Sequence, residues 1–117
     1  MKLGVIGSGY VGKNLGRYFL WMGHNVLFYD TNPDVILSLE KNGYNVTNRL
    51  SDISKCDVSF ICVPTPVDDR GNLILDSIIA VSQKLGEALK EPNNEHIVVV
   101  KSTILPRTTE NVIIPMI

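Results

Sequence analysis

Short apolar runs of strand length alternate along the chain with segments in which apolar residues recur every three or four positions. The first pattern is typical of β-strands and the second of amphipathic helices. Their alternation predicts an α/β fold with a parallel sheet. Five strands are predicted, the third of them the weakest: Lys2–Ile6, Asn25–Tyr29, Tyr44–Thr47, Val58–Val63 and Ile97–Val100. Right-handed crossovers would place them in the order 3-2-1-4-5, as in a Rossmann-like, doubly wound sheet.

The segments between the strands predict helices. The predicted helical segments are Tyr10–Met22, Asn32-Pro33 to Asn42-Gly43, the single turn Ser51–Ser54, Asp76–Lys90, and a last helix that begins at Thr108 or Thr109. In the first helix Val11, Leu15, Phe19 and Met22 share one face. The second helix opens on a capping side chain followed by proline at the first helical position.

A glycine-rich segment joins the first strand to the first helix. Gly7-Ser8-Gly9-Tyr10-Val11-Gly12 matches the pattern G-x-G-x-x-G in the context that a dinucleotide site requires. Gly7 permits the tight turn, Gly9 lets a pyrophosphate approach the backbone, and Gly12 lets the helix pack closely on the strand. The amides and the positive dipole end of the helix would then face the phosphates. The alternative is a helix start in which the three glycines serve packing alone.

An acidic residue stands where a ribose-binding carboxylate is expected. Asp30 ends the second predicted strand, about 20 residues after Gly9. A carboxylate at this point accepts the ribose hydroxyls of the adenosine and repels a 2′-phosphate, and no arginine follows that would attract one. The sequence therefore favours NAD over NADP.

Composition and charge exclude several function classes. The 117 residues are 44% hydrophobic and 20% charged, with a net charge of −1, which fits one globular domain over residues 1–117. A chain without basic excess is a poor candidate for binding nucleic acid. The longest apolar runs are far shorter than the roughly 20 residues of a membrane span. The two cysteines form no Cys-x-x-Cys pair, and with no export signal we expect a cytoplasmic protein.

The remaining chemically active side chains do not form an obvious site. His24 and His96 have no second ligand nearby in the sequence, so we interpret both as loop histidines without metal. Asp68-Asp69-Arg70-Gly71 has the composition of a solvated turn. Cys62 lies within a predicted strand with no neighbouring base, so we do not interpret it as a nucleophile.

Three segments together resemble a known family. They are Gly7–Gly12, then Phe60–Pro66 with its Pro-Thr-Pro turn, then Val99–Thr103 followed by Thr108-Thr109-Glu110. In this order they resemble the N-terminal NAD-binding domain of the UDP-glucose/GDP-mannose dehydrogenase family, over essentially the whole chain. Members of that family oxidise the C6 alcohol of a nucleotide-linked sugar to a carboxylate, using two NAD per sugar.

The resemblance implies roles for individual residues. Val11 would lie along the cofactor phosphates, Asp30 would hold the adenosine ribose, and Thr65 would contact the nicotinamide half. Thr103 would lie near the nicotinamide and the reacting carbon, as an accessory group at most. Lys101 could assist there or simply reach solvent. The predicted cofactor-binding residues are Gly7, Gly9, Tyr10, Val11, Gly12, Asp30, Thr65 and Thr103.

The chain also departs from the family pattern. Val35 stands where members commonly have lysine or arginine, and Asn45–Asp52 is too short for their Tyr-Glu-Pro-Gly segment. Arg107 stands where they often have glycine. Their cysteine nucleophile and its lysine, asparagine and aspartate partners lie downstream, so we expect no complete catalytic set in this chain. A free-standing dinucleotide-binding module or subunit without catalysis is the alternative.

The C-terminal segment predicts self-association. After Thr108-Thr109-Glu110 the residues are apolar almost without a break: Val112, Ile113, Ile114, Met116 and Ile117. A helix that is apolar nearly all round cannot bury every side chain against one sheet face. The sequence therefore suggests a homodimer through this segment. Harmless fraying of the terminus remains the alternative.

Overall fold

A computed structural model of the chain describes residues 1–64, 66, 68–71, 76–90 and 95–101. The elements in these ranges are β1 (Lys2–Ile6), α1 (Tyr10–Trp21), β2 (Asn25–Tyr29), α2 (Pro33–Lys41), β3 (Asn45–Thr47), α3 (Leu50–Ile53), β4 (Val58–Ile61), α4 (Asp76–Ala88) and β5 (Ile97–Val100). The predicted loop at Pro92-Asn93-Asn94 and the predicted helix after Thr108 lie outside the described residues. No helix within the described ranges has the length and apolar character needed to cross a membrane.

The five strands form one parallel sheet in the order β3-β2-β1-β4-β5. This confirms the predicted order and the Rossmann-like fold class. In the centre of the sheet, Leu3 of β1 lies opposite Val26 of β2 and Val58 of β4. Strand β4 ends at Ile61, two residues earlier than predicted, although the Cys62 amide still donates to the carbonyl of Ile6 at 2.7 Å.

Alternate side chains of each strand enter two separate cores, one on each face of the sheet. On one face the strands pack with α1 and α2, around the buried residues Leu3, Val5, Val26, Phe28, Leu39 and Val58. On the other face they pack with α3 and α4, around Ile6, Tyr29, Leu50, Ile53, Ile61, Val63, Ile78 and Leu85. The molecule is therefore a sheet between two helical layers, and helices from both layers reach its carboxyl edge.

The apolar face of α1 does not form its central contact with the sheet. Val11 and Met22 are more than half exposed, whereas the buried residues of the helix are Gly12 and Gly16. A Cβ atom built at Gly16 would lie only 2.3 Å from Cζ of Phe28. The helix thus lies so close to the sheet that a strip of glycines, and not the apolar side chains, forms its central contact.

The other helices begin much as the sequence predicts. At α2 the Asn32 side chain accepts a hydrogen bond from the Asp34 amide at 2.9 Å, and Gly43 follows the helix with φ of 81°. Helix α4 ends at Ala88, two residues before the predicted end, and it buries Ile78 and Leu85. These contacts fix α4 against the sheet, with one flank turned toward the carboxyl edge.

Candidate functional site

A cleft of about 720 Å³ opens at the carboxyl edge of the sheet. This is the edge where strand order reverses between β1 and β4, and ligands of open α/β sheets bind there. Its walls come from five places: the glycine loop, the β2–α2 turn with the start of α2, the end of β4, one flank of α4, and the end of β5. The lining residues are Gly7, Gly9, Tyr10, Val11, Tyr29, Asp30, Thr31, Asn32, Val35, Cys62, Val63, Pro64, Ser77, Ala80, Val81, Lys84 and Lys101.

The first and third glycines of the motif hold the loop together. Gly7 has φ of 89°, in the region that side chains other than glycine rarely adopt, and a Cβ there would lie 2.9 Å from the Cys62 carbonyl. A Cβ at Gly12 would lie 1.9 Å from the carbonyl oxygen of Gly7. The loop, the end of β4 and the start of α1 therefore touch backbone to backbone, as predicted for Gly7 and Gly12.

The second glycine is different, because it faces open space. A Cβ at Gly9 would meet no atom within 4 Å, and no side chain caps α1 at this residue. The first turn of α1 carries no acidic residue, and its first amides have no acceptor within the helix. A phosphate fits here, since the amides and the helix dipole favour an anion and nothing fills the space above Gly9.

Asp30 is held rigidly by the loops on either side of it. One carboxylate oxygen accepts from the Ser8 amide and the other from the Asn32 amide, both at 2.9 Å. Ser8 is itself buried and donates its hydroxyl to the Tyr29 carbonyl at 3.1 Å. Each oxygen of Asp30 keeps a further acceptor site, so the carboxylate can also receive sugar hydroxyls from the cleft.

Sequence reasoning found this carboxylate but missed its second role as a clamp between the glycine loop and α2. It also missed one wall of the cleft. Ser77, Ala80, Val81 and Lys84 recur at helical spacing and form a strip along α4, beside the residues that enter the core. The spacing alone could have shown that they share a flank, but only the packing of α4 shows that this flank borders the cleft.

Two lysines line the cleft. Lys84 comes from α4, and Lys101 follows β5, where its amide donates to the Ile61 carbonyl at 2.8 Å. Both residues are exposed. The two alternatives weighed for Lys101, assistance at the site and contact with solvent, are both compatible with this position.

Cys62 lies in the wall of the cleft but is poorly suited to covalent chemistry. Burial raises the pKa of its thiol to about 11, and the charge of Lys101 lowers it only in part. The thiol is therefore protonated at neutral pH, and the thiolate is the nucleophilic form. Cys56 and Cys62 are both free cysteines.

The other polar residues have structural partners or face solvent. Nε2 of His96 lies 2.5 Å from the Ser59 hydroxyl, and its Nδ1 lies 2.8 Å from the Cys56 carbonyl oxygen, so this histidine ties β4 to the start of β5. His24 packs edge-on against Phe19. Across the described part of the chain, no group of three or more metal-ligating side chains comes together. Thr65 and Thr103 lie outside the described residues.

Comparison with known proteins shows which family profiles the chain matches. Residues 39–117 match the profile described as "UDP-glucose/GDP-mannose dehydrogenase family, NAD binding domain". Residues 2–70 also match a profile described as "NADP oxidoreductase coenzyme F420-dependent". The second match covers the glycine loop and Asp30, which many nucleotide-binding oxidoreductases share.

Individual relatives agree with the first profile. The chain is 33% identical over 136 aligned positions to UDP-glucose 6-dehydrogenase AglM of Haloferax volcanii, and 35% identical over 138 positions to GDP-mannose 6-dehydrogenase of Pseudomonas aeruginosa. Both alignments cover 100% of this chain but only 32% of the relative. A crystal structure titled as a ternary complex of GDP-mannose dehydrogenase from Pseudomonas aeruginosa superposes with a TM-score of 0.92 and 32% identity, over 99% of this chain and 31% of that one. The chain thus spans about a third of these relatives.

Proposed function

This chain belongs to the UDP-glucose/GDP-mannose dehydrogenase family, whose NAD-binding domain it constitutes, and we propose that its cleft binds NAD through the glycine loop and Asp30. In this proposal the pyrophosphate lies over Gly9 at the start of α1, and Asp30 accepts the hydroxyls of the adenosine ribose. Tyr10, Val11, Thr65 and Thr103 add further cofactor contacts, the last two as the family resemblance implies. NAD supplies a hydride acceptor when bound.

The observation that carries the proposal is the pairing of open space at Gly9 with a fixed carboxylate at Asp30. The amides of α1 offer an anion site with no competing acid in the first turn. Asp30 offers acceptors for two hydroxyls at the end of the neighbouring strand, and its negative charge opposes a 2′-phosphate. A dinucleotide with a free 2′-hydroxyl satisfies both requirements at once.

Titration calorimetry with NAD and NADP tests the proposal. Asp30→Ala should weaken NAD binding by about 1.5–3 kcal/mol, the scale of hydrogen bonds to a charged group. Asp30→Asn should weaken NAD binding and raise the affinity for NADP relative to NAD, because the charge that repels the 2′-phosphate is gone. Asp34→Ala is the matched control, since Asp34 is an exposed carboxylate in the first turn of α2 outside the cleft. Equal NAD affinity of Asp30→Ala and the wild type would contradict the ribose assignment.

For the whole protein we propose oxidation of the C6 alcohol of a nucleotide-linked sugar, with transfer of hydride to NAD. The support is the agreement of the cleft with the family and with relatives named UDP-glucose and GDP-mannose 6-dehydrogenase. Passage from alcohol to acid through a covalent intermediate needs an activated thiol, and the high pKa of Cys62 argues against this residue.

Residues 1–117 alone should therefore release no NADH from UDP-glucose or GDP-mannose. Gly9→Trp, in which an indole fills the space above the loop, gives the background rate for this assay. NADH formation by the wild-type chain above that background would contradict the assignment of the nucleophile to the rest of the protein.

We further propose that the apolar C-terminal segment associates with a second copy of the chain. Its aliphatic residues would each contribute roughly 1.5–3 kcal/mol if fully buried, which favours an interface over exposure to water. Sedimentation at micromolar concentration tests this. A monomer whose sedimentation is the same with and without the double change Ile113→Asp and Ile117→Asp would exclude the dimer.

We propose the cytoplasm, where cysteines that form no structural disulfide stay reduced. Fractionation of the source cells tests this location: the protein should be recovered with the cytoplasmic fraction, and recovery with exported proteins would contradict the proposal.

A further inference from the structure

The charges that line the cleft are unevenly distributed. Among its described residues Asp30 is the one acid, while Lys84 and Lys101 are the cations. The first turn of α1, where the proposed pyrophosphate lies, contributes Tyr10, Val11 and Gly12 and no charged side chain. A helix N-terminus offers roughly half a unit of positive charge, against the two negative charges of a pyrophosphate. The helix alone therefore leaves much of the ligand's charge unbalanced, and Asp30 adds to the negative side.

Lys84 is placed to supply this missing positive charge. It belongs to the α4 strip with Val81, and α4 is fixed by the burial of Ile78 and Leu85 in the core. Side chains on a helix lean toward its N-terminus. Helix α4 starts after the carboxyl end of β4, so the lysine side chain leans toward the edge of the sheet where the phosphates would lie.

The position of α4 also distinguishes Lys84 from Lys101. Helix α4 shares a core with Tyr29, the residue before Asp30, because Ile78, Leu85 and Tyr29 are buried in the same cluster. Lys101 instead follows β5, an edge strand of the sheet. Lys84 is thus the cleft lysine whose helix packs with the neighbour of Asp30.

The ammonium group of Lys84 has no competing partner in the part of the chain that the structure describes. The one salt bridge among these residues joins Arg49 to Asp52, outside the cleft. Asp30 forms no ion pair with Lys84 and is held by the Ser8 and Asn32 amides. Since the lysine is exposed to the cleft and without a counter-ion there, an anionic ligand would be its first ion-pair partner.

We propose that Lys84 binds a phosphate on the adenosine side of the bound dinucleotide and thereby adds to the affinity. This inference rests on the proposed binding of NAD. Lys84 reaches across from the helical layer of α4, so that the phosphates lie between its ammonium group and the amides of α1. Val35, on the wall formed by α2, brings no charge to the same cleft.

Titration of NAD, ADP and adenosine separates a phosphate contact from general packing. Lys84→Ala should lower the affinities for NAD and ADP about 1.5- to fivefold, the range for a solvent-accessible ion pair, and should leave adenosine binding unchanged. The affinity for ADP should also fall less steeply with salt in this variant, because one counter-charge is missing. Lys84→Arg should retain most of the affinity, and Val35→Lys should restore part of it to Lys84→Ala.

Lys90→Ala is the control, because Lys90 is exposed just after α4 and does not line the cleft. Unchanged ADP affinity in Lys84→Ala would overturn the inference. An equal loss for adenosine and ADP would also overturn it, because the residue would then act through packing. Failure of the wild type to bind NAD at all would instead overturn the proposed function itself.

Discussion

Replacing Gly9 by alanine should separate the ligand site from the stability of the fold. Gly9 has φ of −72° and ψ of −156°, which any residue adopts, and the new methyl group would meet nothing within 4 Å. Restricting the unfolded chain stabilises the protein by about 0.4–1 kcal/mol. Alanine is a poorer N-cap than glycine, which offsets this by a similar amount. The free energy of unfolding should therefore change by less than about 0.5 kcal/mol.

The same methyl group should strongly weaken NAD binding. It stands over the amides that the pyrophosphate is proposed to approach, and loss of one hydrogen bond to a charged group costs about 1.5–3 kcal/mol. We expect the dissociation constant for NAD to rise at least about tenfold, which corresponds to 1.4 kcal/mol. Calorimetric titration gives the affinity, and urea denaturation without ligand gives the stability.

Gly12→Ala is the comparison variant, because it should affect both measurements. Its methyl carbon would start 1.9 Å from the Gly7 carbonyl oxygen, so α1 and the loop must move apart by more than 1 Å to reach ordinary contact. Overpacking of this kind costs about 1–3 kcal/mol. The reasoning is refuted if Gly9→Ala destabilises the fold as much as Gly12→Ala does, or if Gly9→Ala binds NAD like the wild type.

Two further predictions concern the glycine strip of α1 and the thiol in the cleft. Gly16→Ala should lower the free energy of unfolding by about 1–3 kcal/mol, because its Cβ would lie 2.3 Å from Phe28. Gly23→Ala is the comparison for backbone strain alone: its methyl group would have no atom within 4 Å, whereas its φ of 92° is unfavourable for alanine. Cys62 should resist iodoacetamide near pH 7 and react faster as the pH approaches about 11, since burial raises its pKa from 9.0. The raised pKa favours the folded state below pH 9, and this contribution should be lost between pH 9 and about 11 in urea denaturation, more steeply than in Cys62→Ser.

The sheet could be predicted from the sequence because each strand is a short apolar run and the crossover rule leaves one arrangement. The positions of Gly7, Gly9 and Asp30 could be predicted for the same reason, because the glycine loop directly follows β1 and Asp30 directly follows β2. The orientation of α1 could not be predicted, because apolar periodicity favours Val11 and Met22 as the inward residues. The actual contact is made by Gly12 and Gly16, and only the distance between helix and sheet reveals it.

The α4 wall of the cleft was unpredictable for a different reason. Lys84 looks like any exposed lysine on an amphipathic helix, and its chemistry depends on how α4 sits relative to Asp30. That relation is set by the burial of Ile78 and Leu85 in a core shared with α3. Periodicity along one helix carries no information about which neighbour its polar flank will face.

The clamp made by Asp30 constrains how cofactor preference could evolve in this chain. A change toward NADP would normally begin by replacing the acid that repels the 2′-phosphate. Here the same carboxylate accepts the Ser8 and Asn32 amides, so replacement by a small residue also strands two backbone donors, one of them partly buried. Asparagine keeps a single acceptor oxygen and a similar shape, which makes it the most accessible first step, although its amide nitrogen cannot accept and leaves one of the two backbone donors without a partner. An engineer who moves this chain toward NADP would therefore need to change Asp30 together with the β2–α2 turn, so that the amide that loses its acceptor finds another.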